Sequence, residues 1–489
     1  MSESVSTTRR QVLAGAGALG VSIAFAGNLS DLFAGTAAAQ DLGHTGYGPL
    51  VPDPAGLLDL PKGFRYQVLS REGDPPPRSA SLARGDPHRS GEGRVPSNHD
   101  GMAAFAGRSA GRHSGRVHLV RNHENRNTAK IPVPTVKGLT YDPAGKGGCT
   151  ALTLDGGNNV LSERVAIAGT AVNCAGGPTP WGTWLTCQET EDKAGTNGYT
   201  KDHGFIFEVH PAAPPPRSAS LARGDPHRSG AVPLTAMGRF QHEAIAVDPR
   251  RGIVYETEDA FERPFGLFYR FLPDKPLRGL GSLRAGGRLQ AMRVPGVPDL
   301  SSIRETDACF DGIEWVDVPD PLAAETPIRH QDFGPQGITH AQKLEGCYWG
   351  GTCVYFVSSF ARSAEGSAAD HYGQIWRYDP SARRLTLVIV FGPDTDVQLP
   401  GESPDNICLA PSGGLMVCED GNGAQHVYRV TRRGEVYAMA RGRQNTGSPE
   451  EPEWGEFAGV TFSPDGRTMY VNCYTPGTTF AVTGPWRRQ

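Results

Sequence analysis

QHEAIAVDPRRGIVYETED, residues 241–259, is the stretch that decides the fold. An apolar run, Ala244–Val247, leads into the turn sequence Asp248-Pro249-Arg250-Arg251-Gly252, and Ile253–Tyr255 returns from it. Apolar, β-branched and aromatic residues on both sides of a Pro/Gly turn read as an antiparallel hairpin. In such a hairpin the start of the first strand lies beside the end of the second. Glu243 therefore falls near Glu256 and Glu258, at the open end away from the turn.

Five other stretches follow the same plan. Asn98-His99-Asp100 runs through MAAF and a Gly/Arg/Ser turn to VHLV and Asn122-His123-Glu124. Asn173-Cys174 leads through a Gly/Pro loop to TWLT and Cys187-Gln188-Glu189. Glu345 opens EGCYWGGTCVYFVSS, Pro404-Asp405-Asn406 opens a hairpin ending at Glu419-Asp420, and Glu456 opens EFAGVTFSPDGRTMYVNCY. Their runs alternate as half-buried strands should. GFIFEVHP, FGLFYRFLP and GQIWRYDP supply further strands. Every hairpin carries acidic or thiol groups at its open end. Six such units set radially bring those ends to one axis, which predicts an all-β, six-bladed β-propeller with an axial metal site. Hairpin spacing exceeds the ~40–45 residues of compact propeller repeats, so long inter-blade loops are expected. A pair of β-sandwiches is the alternative, and six similar hairpins favour the propeller.

Composition agrees. Glycine at 63 and proline at 40 of 489 residues, with 38% hydrophobic residues, describe a turn-dense chain of short strands. The formal net charge is −4, with no basic stripe and no arginine–aromatic interleaving, which argues against nucleic acid as a partner. Thr8-Arg9-Arg10-Gln11-Val12-Leu13, an Ala/Gly-rich apolar stretch and Ala37-Ala38-Ala39 read as a twin-arginine signal peptide over residues 1–39. That leaves residues 40–489 as one exported propeller domain, periplasmic or secreted, with no stable membrane insertion and the twin-arginine machinery as its export partner. The segment PPPRSASLARGDPHRSG occurs identically at 75–91 and 214–230. Structural repeats drift where packing differs, so these are read as duplicated loop insertions, mobile and free of site residues.

The chemistry points to cations. Glu243, Glu345, Asp405 and Glu456 each stand where a first strand opens, just before apolar residues. Like-charged carboxylates brought together cannot all stay ionised without positive charge, and hard cations such as calcium take oxygen ligands. Cys174 sits in the Gly/Pro loop NCAGGPTPWG, either as an inert buried thiol or as a thiolate ligand suited to iron. Nine cysteines is an odd number, so at least one is unpaired while others are open to pairing. His113, His118 and His123 have no CxxC pair to complete a zinc finger. Gly107-Arg108-Ser109-Ala110-Gly111 lies in a hairpin turn rather than before a helix, and Gly15–Gly20 lies in the signal peptide, so neither motif match carries function. No convincing side-chain nucleophile remains, and a metal-bound oxygen is the natural candidate.

Taken together, VPSNHDGMAAF, RNHE, NCAGGPTPWGTWLTCQE, EAIAVDPRRGIVYETED, LEGCYWGGTCVYFVSS with GQIWRYDP, and FSPDGRTMYVN resemble the PhoX alkaline phosphatases. The resemblance runs from about residue 50 to the C-terminus, in a shorter branch whose third hairpin reads QHEA in place of an Arg-Pro-Glu-Trp type segment. It implies phosphomonoester hydrolysis by an axial cluster of iron and calcium. Cys174 is then the thiolate ligand of iron, and Glu243 and Glu345 contact iron or bridge metals. Glu124, Glu189, Asp405 and Glu456 serve calcium or support the cluster. Arg362 and Arg377 are available to hold phosphate. Two other readings stay open: a calcium-dependent propeller lactonase or esterase, and a non-catalytic exported calcium-binding propeller.

Overall fold

The computed structural model describes residues 46–77, 85–109, 112–212, 231–364, 366–431 and 434–486. The leader 1–39 with its Gly15–Gly20 motif, and the second insertion at 214–230, lie outside the described residues. No helix among the described residues is long and apolar enough to cross a membrane.

Each hairpin forms the inner pair of strands of one antiparallel sheet. Blade 1 comprises His99–Ser109, Arg112–His123, Gly147–Leu154 and Val160–Thr170. Blade 2 has Asn173–Pro178, Trp184–Gln188 and Ile206–Val209. Blade 3 is built on His242–Val247, Val254–Glu258, Gly266–Pro273 and Gly287–Arg293. Blade 4 is built on Leu344–Trp349, Val354–Ser358, Gly373–Asp379 and Arg384–Phe391. Blade 5 has Pro404–Leu409, Leu415–Glu419, His426–Val430 and Val436–Gly442. Blade 6 has Phe457–Phe462, Thr468–Cys473 and Thr478–Thr483. Its fourth strand, Arg65–Arg71, comes from the opposite end of the chain and joins the two ends. The six innermost strands touch in sequence order and the last touches the first, so the ring is closed. This is the expected six-bladed β-propeller.

The long inter-blade segments add strands of their own. Between blades 3 and 4, Glu314–Asp317 extends the former and Cys309–Asp311 the latter. Leu58–Pro61 and Leu50–Val51 widen blade 5.

The expectation of half-buried strands needs correction. Every residue of His242–Val247 and Val254–Glu258 is buried. Successive side chains of a strand point to opposite faces, and here each face meets a neighbouring blade. Ile245, Val247 and Val254 pack with Leu185 and Ile206 of blade 2, whereas Ala246 and Tyr255 pack with Phe356 and Trp376 of blade 4. Comparable layers fill the other four junctions, so the core is a ring of inter-blade layers.

Two further expectations change. All nine cysteines are free thiols, and all but Cys309 are buried, where a thiol fills space as a small apolar group. The first insertion is not wholly a loose loop. Its end forms a helix, Pro87–Ser90, capped by Asp86, which also accepts the Val165 N–H at 3.3 Å, and both Asp86 and His88 are buried.

Ring closure has a polar rivet. The buried Arg121 guanidinium donates to Ser70 and Thr479 of blade 6, each at 2.6 Å. It also donates to Glu163 at 2.6 Å and Thr150 at 3.2 Å within blade 1. Removing one partner of a buried pair leaves the other charge uncompensated. Arg121→Met is therefore expected to cost about 3–5 kcal/mol in equilibrium unfolding, and a loss below about 1 kcal/mol would contradict this role for the pair.

Candidate metal centre

The site begins with a backbone irregularity repeated in all six inner strands. After the first pair of five hairpins, and after the second pair in blade 6, the register slips, setting two inner-strand residues against one on the partner. Such a bulge breaks the alternation of side chains and re-aims one of them. Around the ring, the first bulged residues are Asp100, Cys174, Glu243, Glu345, Asp405 and Gly459. Four of the bulges are preceded, two residues earlier, by a non-glycine residue with left-handed backbone. These are Asn98 at φ 55°, Val172 at 50°, Lys343 at 50° and Ser403 at 41°. A β-branched residue such as Val172 is held there only where the surroundings over-determine it, a hallmark of functional sites.

The bulges are tied from blade to blade. Asn122 of blade 1 donates to the Cys174 and Ala175 carbonyls of blade 2 at 3.0 and 2.7 Å. The Cys174 S–H donates to the His242 carbonyl of blade 3 at 3.2 Å. The Thr257 hydroxyl of blade 3 donates to the Glu345 carbonyl of blade 4 at 2.7 Å. Between blades 4 and 5 the backbones simply touch: a Cβ on Gly346 would stand 2.3 Å from the Asp405 carbonyl. The Gly459 N–H of blade 6 donates to Asn406 of blade 5, and Asn472 donates to the Asp100 carbonyl of blade 1.

Two groups of potential ligand atoms result, each with its members within 4.8 Å of one another: Cys174, Glu189 and Glu243, and then Glu243, Glu345 and Asp405. Glu243 belongs to both. All five residues are buried. Burial, and after it the charges of Glu243 and Glu189, push the Cys174 thiol well above its ordinary range. Beside them lies Lys343, whose ammonium contacts Glu345 and reaches Asp420 at 3.4 Å. Glu345 Oε2 is buried without a hydrogen-bond partner, as are the hydroxyls of Ser359 and Ser403. Ser359 N–H bonds to the Lys343 carbonyl, and the Ser403 carbonyl accepts from Asp420 N–H.

Buried carboxylates at this spacing, with an oxygen left without a donor, fit cations. The thiol-bearing group offers a mixed sulfur and oxygen donor set, and the second group offers oxygen alone. Below the bulges the inner strands enclose an axial cavity of about 250 Å³ lined by Met102, Ala175, Cys347, Asn406, Val460 and Phe462, with no carboxylate among its lining.

Of the seven residues expected from the sequence, Cys174, Glu189, Glu243, Glu345 and Asp405 come together. Glu124 and Glu456, both buried, stand outside the two groups, and Glu124 pairs with Arg126 at 3.5 Å. The bulged position of blade 6 belongs to Gly459, at φ 63°, where a Cβ would stand 2.5 Å from the Asp100 carbonyl. Glu419 is committed to the Gly401 N–H and to His426. Arg377 is placed opposite Tyr355, toward the turn, so it sits at the wrong end of its hairpin to hold phosphate here. Arg362 lies at the open end, its guanidinium over the Phe261 ring at 5.2 Å and its N–H bonded to Gln342. Lys343 was missed: lysines before strands are common, and only the left-handed backbone two residues ahead of a bulge singles this one out.

Thr257 tests the ties. Thr257→Val keeps the shape and strips the donor from the Glu345 carbonyl and the acceptor from the Ala244 N–H. The expected cost is about 1–3 kcal/mol in unfolding of the metal-free protein, and an unchanged midpoint would contradict it.

A family profile described as Alkaline phosphatase PhoX matches residues 45–163 and 155–477. Comparison with curated proteins returns no match. Among solved structures, the chain is similar to Pseudomonas fluorescens PhoX in complex with vanadate, a transition state analogue. That match has a TM-score of 0.61 and 18% identity, covering 88% of this chain and 96% of the other. A gluconolactonase of Xanthomonas campestris matches at a TM-score of 0.38 and 13% identity, over 86% and 97% of the two chains, too low a likeness to carry an argument. With the profile spanning most of the chain and the propeller shared, this protein belongs to the PhoX family of metal-dependent alkaline phosphatases.

Proposed function

We propose that the protein hydrolyses phosphomonoesters at the bulge ring, with iron held by Cys174, Glu189 and Glu243 and calcium held by Glu243, Glu345 and Asp405. The carrying observation is the buried convergence of one thiol and four carboxylates at the open ends of adjacent hairpins. Glu124 and Glu456 are assigned to further calcium ligation or support of the cluster. When bound, the cations supply Lewis acidity toward the phosphoryl group and lower the pKa of water.

The chain's own residues do the rest. Glu243, shared by both groups, fixes their spacing. The thiol proton of Cys174, held toward the His242 carbonyl, would have to leave for the sulfur to serve as a ligand. Lys343 adds a fixed positive charge at the edge of the cluster, placed to meet phosphoryl oxygens whose charge grows during transfer. Arg362, stacked on Phe261 near the same edge, lines the approach. The vanadate bound by the Pseudomonas fluorescens protein is a ligand of the kind such an arrangement would accept.

Residues 1–39 are proposed to direct export by the twin-arginine route, leaving 40–489 as a single periplasmic or secreted propeller domain. Folding before export would let the metals be loaded first.

The exported protein, purified without chelator, is expected to contain iron and calcium and to release phosphate from p-nitrophenyl phosphate. A calcium chelator and Glu243→Ala should each abolish that activity. Lys343→Met should lower kcat by about 10²–10³-fold while metal content is kept. Calcium without phosphate release would contradict the phosphatase reading and leave a binding propeller.

A further inference from the structure

Arg329 lies outside the metal groups, on the turn Ile328–His330 within the long segment between blades 3 and 4. Its guanidinium bonds to Glu191 Oε2 at 2.9 Å and Glu258 Oε1 at 3.1 Å. The other oxygen of Glu258 accepts from Tyr269 OH at 2.6 Å and Leu267 N–H at 3.1 Å, so that buried carboxylate is fully committed. Ile328, the neighbour of Arg329, is buried in the layer between blades 2 and 3. The segment is fastened a second time by Arg239. That side chain donates to the Leu322 and Ala323 carbonyls at 3.0 and 2.9 Å and to the Glu191 carbonyl at 2.9 Å.

These bonds close a circuit around the thiol-bearing group. Glu191 follows Glu189 by two residues, and Glu189 is bridged to Gln241 across the gap between blades 2 and 3. Gln241 leads into His242, which pairs with Glu258. From Glu258 the path returns through Arg329 to Glu191. Glu189 lies on the circuit and Glu243 hangs from it. The same bonds hold back Glu191 and Glu258, two carboxylates close enough in sequence to compete as ligands.

We infer that Arg329 is the positioning residue of the metal centre, clamping the second-strand ends of blades 2 and 3 so that Glu189 and Glu243 keep the spacing a cation needs. The inference rests on the metal reading of Cys174, Glu189 and Glu243 given above. Arg329 touches no ligand itself and acts through Glu191 and Glu258. Both bonds leave one guanidinium nitrogen, Nη1, so the clamp needs a positive charge with two donors at that point rather than the planar fork, and a lysine ammonium, with its three donors, can supply it.

The test compares wild type, Arg329→Lys, which keeps a charge with donors for both carboxylates, and the double variant Arg329→Met/Glu258→Gln, which removes the two buried charges and leaves the partly buried Glu191 without its cation. Iron and calcium content are followed over time after addition of a chelator, alongside the melting midpoint of metal-stripped protein and the split between kcat and KM. The double variant is expected to lose metal about tenfold faster or more, the size of effect seen when partners behind a metal ligand are removed, and Arg329→Lys to hold it longer than the double variant does. In the double variant kcat should fall with KM held within about twofold, and metal loss should exceed what any lowering of its metal-stripped midpoint accounts for. Metal loss from the double variant no faster than from wild type would overturn the inference, as would loss from Arg329→Lys as fast as from the double variant, or faster loss that merely follows a lowered midpoint. Wild type that holds no metal at all would instead sink the metal reading on which the inference depends.

Discussion

The constraint on which this structure depends is the ring of hydrogen bonds and close backbone contacts linking the six inner-strand bulges. An ordinary strand would send its side chains left and right into the inter-blade layers, leaving none for the axis. One extra residue per strand breaks that alternation and turns Cys174, Glu243, Glu345 and Asp405 toward each other. A bulge leaves backbone groups without ladder partners, and buried groups of that kind are costly unless satisfied. Asn122, Thr257 and Asn472 satisfy them from the neighbouring blade, so each bulge is shaped by the blade beside it. The candidate metal centre is thus a property of the closed ring and not of any single hairpin.

The electrostatics follow from that placement. Packing several carboxylates into a buried space is unfavourable unless positive charge comes with them. Lys343 supplies some of it for Glu345 and Asp420, and Arg329 supplies it for Glu191 and Glu258. Fixed side-chain cations thus stand beside the candidate cluster, an arrangement suited to an enzyme that must stabilise a charged phosphoryl group.

Much of this was legible in the sequence. Hairpins announce themselves through local chemistry, such as DPRRG between AIAV and IVYE, and their open ends place Glu243, Glu345 and Asp405 on one axis by counting alone. Cys174 and Glu189 were reachable for the same reason. What stayed hidden depends on non-local geometry. Glu456 and Gly459 are three residues apart, and only the register slip shows that the axis position of blade 6 is the glycine. Lys343 and Val172 matter through their backbone conformation, which side-chain identity does not reveal. Burial of both strand faces was likewise invisible, because an alternating strand packed between two blades reads much like one exposed on a single side. Arg329 is separated from Glu191 by well over a hundred residues, beyond the reach of any local pattern.

If the bulge ring holds two kinds of cation site, anomalous diffraction from crystals of the exported protein, collected on either side of the iron absorption edge, will separate them. A peak is expected at the iron edge among Cys174, Glu189 and Glu243, with a second density, insensitive to that edge, beside Glu345 and Asp405. Absence of any ordered cation on the axis would contradict that reading.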